Sequence, residues 1–168
     1  MARLALNQVG VNLSAKSSLS AGSATAYTPE FEVGTQIWAD SGLYIYGQAN
    51  GAISEGFVAK FVEGAFDFDA VTTTESGTAF TPLGVCVASG GLADNQHGWF
   101  WRGMGRESVY VADVASGAQV TTTGNAGECG AGGDFIYSLF TNENNSAAGL
   151  TACLATGLLA TNFTIAVS

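Results

Sequence analysis

The chain has 168 residues and a formal net charge of −9, from 14 acidic and 5 basic side chains. This length fits one domain and is short for two. Nucleic-acid binding and attachment to anionic membranes both need a cationic surface, and 5 Lys and Arg residues are too few to form one. We therefore expect no nucleic-acid partner and no membrane partner.

The composition is low in charge and rich in glycine. Charged residues make up 11% of the chain, against roughly 25% in a typical globular protein. Hydrophobic residues reach 47%, which is enough for a buried core, and 23 residues are glycine. The surface must then consist largely of small neutral side chains. Because the centres of protein interfaces are depleted in charge, this composition favours assembly with neighbouring subunits.

The sequence shows no targeting or disulfide pattern. No apolar run approaches the roughly 18 residues of a membrane-spanning helix. The first residues lack the apolar stretch of a secretory signal, so we expect synthesis in the cytoplasm. The three cysteines, Cys86, Cys129 and Cys153, are widely spaced and odd in number, which indicates reduced thiols.

Residues 1–30 are predicted to form an N-terminal arm or long loop. Small polar residues without a regular period dominate this segment. Five apolar side chains could anchor the arm as a strand, and the first four are candidate contacts with a partner: Leu4, Leu6, Val9, Val11 and Leu13. A frayed terminus is the alternative interpretation.

Residues 31–168 are predicted to form a single β domain. Short runs of alternating apolar and polar residues, rich in aromatic and β-branched side chains, lie between glycine-containing turns. The predicted strands begin near residues 43, 57, 66, 83, 98, 108, 119, 134 and 163. A short helix is considered only for residues 147–159, where Gly149 and Gly157 argue against a long one. The pattern predicts an all-β fold, a compact β-barrel or β-sandwich.

The residues that commonly carry catalysis or bind metals form no recognisable site. His97 is the single histidine, in a polar stretch, and no serine elbow or second catalytic residue accompanies it. Cys86 lies in an apolar run, where a thiol usually serves packing. One histidine and three separated cysteines match no metal-binding spacing. We therefore predict no catalytic residues, no metal and no cofactor, and we do not expect an enzyme.

The aromatic run Trp99, Phe100 and Trp101 is the most distinctive feature. In a strand, Trp99 and Trp101 share one face and Phe100 lies on the other. One face is expected to cover the core, and the other could meet a partner, since Trp and Arg concentrate binding energy at interfaces. Alternatively, both faces are covered within the domain, or the tryptophans, including Trp38, stack on carbohydrate.

The order of strands and glycines carries a resemblance over residues 31–128. Its parts are an aromatic strand at 43–49, a small-residue turn at 50–53, strands at 71–74, 83–89, 98–103 and 109–112, and a Thr-rich hairpin at 121–124. This order resembles small tailed-bacteriophage head proteins of the capsid decoration, or cement, class. The first 30 residues and the Ala- and Thr-rich tail do not contribute.

The resemblance implies a structural role on a virus particle. It implies a homotrimer that binds the major capsid protein on the outer capsid surface, at threefold or quasi-threefold positions, and stabilises the shell. The chain would be made in the cytoplasm of the bacterial host. Candidate contacts outside the arm are Trp38, Phe100, Trp101 and Arg102. The alternatives are a head fibre, tail or adhesion subunit, or a carbohydrate-binding β-sandwich.

Overall fold

The structure is a computed structural model that describes residues 11–39, 41–62, 66–70, 81–112, 114–130, 135–141 and 148–160. The strands in these residues are β1 (Ser18–Leu19), β2 (Tyr27–Thr28), β3 (Gln36–Ala39), β4 (Gly42–Ala49), β5 (Val58–Val62), β6 (Asp67–Ala70), β7 (Thr81–Cys86), β8 (His97–Trp101), β9 (Gly105–Val111), β10 (Gln119–Thr122), β11 (Cys129–Gly130), β12 (Phe135–Thr141) and β13 (Gly149–Ala160). The described residues contain no helix. The predicted all-β fold is confirmed.

Strand pairing closes a first ring from β4, β8, β7, β5 and β6. Four of its pairings are antiparallel, and the parallel pairing of β6 with β4 closes it. The short strand β3 adds to β4 beside this ring. Ring closure leaves few unpaired strand edges, which protects a glycine-rich sheet from pairing with other chains.

A second ring forms from β9, β13, β12, β10 and β11. It too has antiparallel pairings and one parallel pairing, here between β11 and β9. The end of β13 also pairs with β7, which connects the two rings through backbone hydrogen bonds. Tyr44 of β4 adds a side-chain connection, because its hydroxyl donates a hydrogen bond to Glu107 of β9.

Two buried clusters follow from the alternation of side chains in β4 and β8. The smaller cluster contains Ile45, Phe68 and Phe100, together with residues of the loops that follow β4 and β7. Tyr44, Tyr46, Trp99 and Trp101 lie in the larger cluster, which also contains valines, cysteines and aliphatic side chains of the second ring. The predicted division of Trp99 and Trp101 from Phe100 is confirmed.

Phe68 fills the interior of the first ring. Its ring stacks on that of Phe100 with centroids 3.8 Å apart. A Cβ atom added at Gly47 of β4 or at Gly84 of β7 would lie 2.4 or 3.0 Å from Phe68. Phe68 of β6 therefore approaches β4, β7 and β8. Since β7 and β8 are not neighbours of β6 in the ring, the Phe68 side chain must lie inside the ring. Glycine is required at Gly47 because no larger residue leaves room for Phe68.

The prediction of a short helix at 147–159 is wrong. The described part of this segment belongs to β13, whose side chains alternate between buried Thr151, Cys153 and Ala155 and exposed Leu150 and Leu154. The leucines face outward and smaller residues face the core, which is the reverse of the usual pattern.

Residues 11–30 are attached to the first ring at several points. Val11 and Leu13 pack against the larger cluster, and Ser89 donates its N–H to Ser14 O at 2.9 Å. The hairpin formed by β1 and β2 follows, with Leu19 exposed. Leu4, Leu6 and Val9 and the predicted strand near residue 163 lie outside the described residues. The boundary between an arm and a domain at residue 30 stays a prediction.

Candidate functional site

The aromatic strand β8 is covered on both sides by this chain. Phe100 and Trp101 have no exposed surface, and Trp99 is 1% exposed. Trp101 also donates its indole N–H to Ser41 O at 2.8 Å. Phe100 and Trp101 therefore offer no surface to a partner, because Phe100 packs inside the first ring and Trp101 packs in the larger cluster.

Trp38 lies at the surface, as an interface residue requires. It is 54% exposed and stands directly opposite Leu43 in the pairing of β3 with β4. Residues opposed in an antiparallel pair share one face of the sheet. Gln36, two residues earlier, shares that face and lies opposite Ile45. Trp38 thus lies on the sheet face that it shares with half-buried Leu43 and buried Ile45.

A pocket of about 440 Å³ opens next to this surface. Its apolar walls are formed by Leu43, Ile45, Phe61, Phe66 and Pro82. Gln36 and Arg102 supply its polar groups. The volume lies in the range of about 300–1,000 Å³ that is typical of ligand pockets. Phe66, 43% exposed, brings a second aromatic ring to the mouth of the pocket.

Arg102 follows the last residue of β8 and is held by its backbone, whose N–H donates to Leu43 O at 2.7 Å. The guanidinium carbon lies 4.7 Å from the centre of the Phe61 ring, in a cation–π arrangement. The Nη1 atom is buried and has no hydrogen-bond partner among the described residues. Burial lowers the pKa of Arg102 to about 10, so the group stays positively charged at neutral pH.

A second exposed apolar surface lies on the other ring. Phe140 of β12 and Leu154 of β13 stand directly opposite each other and are 41% and 52% exposed. Leu150 lies on the same face of β13 and is 50% exposed. This surface could not be predicted from the sequence, where only a short helix was considered for residues 147–159.

His97 is the first residue of β8 and is buried, rather than lying in a polar turn. Its Nδ1 atom lies 3.4 Å from Ser17 Oγ, but that hydroxyl also accepts the His97 backbone N–H at 2.9 Å. Burial lowers the pKa of His97. These contacts fasten residues 16–17 to the first ring.

The cysteines are free thiols in the core. Burial raises the pKa of Cys86 to about 11 and also raises that of Cys129. Both thiols are therefore protonated at neutral pH, and a protonated thiol is a poor nucleophile and metal ligand. In the described ranges, no group of three or more His, Cys, Asp or Glu side chains could hold a metal ion. The same ranges include no helix with the length and apolarity needed to cross a membrane.

No protein-family model matches the chain, and no curated protein matches it with significance.

Proposed function

We propose that this chain is a structural protein of a tailed-bacteriophage particle. It binds the major capsid protein on the outer surface of the icosahedral shell, as a trimer at threefold or quasi-threefold positions, and stabilises that shell. The chain is made in the cytoplasm of the bacterial host and acts through protein contacts rather than through catalysis.

The observation that carries this proposal is the presence of large exposed apolar side chains on both rings. Trp38 and Phe66 lie beside the first ring, and Phe140, Leu150 and Leu154 lie on the second. Clustered apolar side chains at a surface indicate contact with another protein. A protein that ties neighbouring shell subunits together needs at least two such surfaces.

Composition and charge support the same function. The low share of charged residues suits a surface that is largely covered by neighbours. A net charge of −9 disfavours binding to packaged DNA. Each contact can be weak, because symmetric repetition on a shell raises the effective concentration of every further contact.

Copy number in purified particles tests the proposal. Quantitative mass spectrometry of particles from the biological source of the chain should find it in amounts comparable to the major capsid protein. A few copies per particle would instead assign it to the tail or to fibres. Complete absence from particles would contradict any role as a virion protein.

Carbohydrate binding is a second candidate, favoured by the exposed ring of Trp38 next to Gln36. Trp99 and Trp101 are buried and do not contribute. This candidate predicts a sugar-induced change in tryptophan fluorescence that Trp38→Ala abolishes. No response across a broad glycan panel would exclude it in favour of protein contacts.

A further inference from the structure

The pocket beside Trp38 places a half-buried positive charge among apolar walls. Arg102 is the charged group among the described residues that line it. Its guanidinium lies over Phe61, while the buried Nη1 atom donates to no acceptor in the described part of the chain. An unpaired charged donor in a buried position is costly and normally has a partner. The contact with Phe61 compensates only part of that cost.

A carboxylate is the chemical group that best complements this arrangement. A guanidinium presents its donors in a planar fork that matches the two oxygens of a carboxylate. Leu43, Phe61 and Pro82 would cover the hydrocarbon next to that carboxylate.

The surroundings of the pocket favour a protein segment over a small free acid. A small acid inside the pocket would leave Trp38 and Phe66 exposed beside it. A peptide segment can fill the pocket and cover both rings, and Trp and Arg together are typical of the residues that dominate interface energies.

We propose that this pocket is a docking site for an Asp or Glu side chain, flanked by apolar residues, on a partner protein. The inference deepens the proposed function, on which it rests, by assigning Arg102 as the anchor and Trp38 as the adjoining contact on the first ring. The partner supplies an acceptor for Arg102 Nη1, which has none among the residues that the structure describes.

The test uses two capped peptides, acetyl-Leu-Glu-Phe-amide and acetyl-Leu-Gln-Phe-amide, titrated into the full chain labelled with ¹⁵N. We expect the Glu peptide to shift the Arg102 Nε–H and Trp38 indole N–H signals, with a dissociation constant of about 1 mM. The Gln peptide should bind about tenfold more weakly, because it has no charge to pair with the guanidinium. Equal shifts from both peptides, or no shift from either up to their solubility limits, would overturn the proposal.

Two variants and one control locate the effect. Arg102→Gln should abolish the preference for the Glu peptide, and the spectrum itself shows whether this variant folds. Trp38→Ala changes an exposed residue and should weaken binding several-fold while the Arg102 signal still shifts. Arg106→Gln removes the same charge from an exposed position on β9 and should leave binding unchanged. Loss of the preference in the Arg106 variant would show that only net charge matters and would contradict a pocket.

Phenylacetate distinguishes a small acid from a protein segment. If it bound as tightly as the Glu peptide without moving the Trp38 signal, the pocket would be a small-molecule site and the docking proposal would be wrong. These titrations require no virus particle. They can therefore fail while the chain is abundant on capsids, or succeed while it is absent from them.

Discussion

The two rings close by similar strand pairings but use their side chains differently. The first ring encloses the stacked rings of Phe68 and Phe100, with glycines at the points of closest approach. The second ring contributes mainly Val, Ile, Leu and Cys to the larger cluster and turns Leu150 and Leu154 outward. Aromatic residues thus serve packing in the first ring, and apolar residues on the outside of the second are free for contacts.

Replacing Phe68 should produce the largest loss of stability. Phe68→Ala removes the side chain that fills the first ring and should lower the free energy of unfolding by about 3–5 kcal/mol. Phe140→Ala makes the same change on the exposed face of the second ring and should stay within about 0.5 kcal/mol. Chemical denaturation of both variants measures the contrast, and equal losses would contradict the different use of aromatic residues.

Gly47 provides a test of close packing in the first ring. The Cβ of Gly47→Ala would lie 2.4 Å from the Phe68 ring, so we expect a loss of about 1–3 kcal/mol. Gly149→Ala is the matched control on β13, because no atom of the described residues lies within 4 Å of its added Cβ. Thermal and denaturant unfolding should separate the two variants. A stable Gly47→Ala protein would mean that Phe68 can move aside.

The connection between the rings depends in part on Tyr44. Tyr44→Phe removes the hydrogen bond to Glu107 and should cost about 1.5–3 kcal/mol, the range for bonds to charged groups. A milder loss would show that β13 and the shared cluster hold the rings together without this bond.

The raised pKa of Tyr44 also predicts that the stability of the fold decreases at alkaline pH. Burial, followed by the Glu107 contact, raises the pKa of Tyr44 above its ordinary value of 10.0. The unfolded chain therefore loses this proton first, and stability falls as the pH rises above about 10. Denaturation across this range should show a shallower fall for Tyr44→Phe than for the wild type.

We expect the smallest change in stability from the titration of His97 at mildly acidic pH. In the folded chain the pKa of His97 lies below its ordinary value of 6.5. As the pH falls below that value, the unfolded chain therefore binds a proton before the folded chain does. The contribution of His97 to stability is therefore lost as the pH falls below that value. Since His97 is the single histidine, His97→Asn should flatten the profile just below pH 6.5. An unchanged slope would show that the folded and unfolded chains titrate alike.

The sequence predicted the local features of the fold better than its closure. The sequence correctly predicted that Trp99 and Trp101 lie on one face of β8 and Phe100 on the other, because successive side chains of a strand point to opposite faces. The parallel pairings that close the rings join segments distant in the sequence, such as β11 with β9, and no local pattern specifies them. The strand at β13 was not predicted, because Leu150 and Leu154 point outward while Thr151 and Cys153 are buried.

The candidate site could be predicted only in part. Trp38 and Arg102 were identified from residue type alone, since both are common at interfaces. Their neighbours could not be identified, because the pocket combines Gln36, Phe61 and Pro82 from separate strands. Phe100 and Trp101 have the same interface-prone composition, but only the tertiary fold shows that they are buried.

Reconstitution of the shell tests most directly whether the exposed apolar surfaces hold the protein on a capsid. Particles of the source phage that lack this chain would receive purified wild-type protein or Leu154→Asn, and bound copies would be counted. The account predicts that the wild type saturates the shell, whereas Leu154→Asn binds about tenfold more weakly with an unchanged free energy of unfolding. Equal binding of the two proteins, or no binding of the wild type, would contradict it.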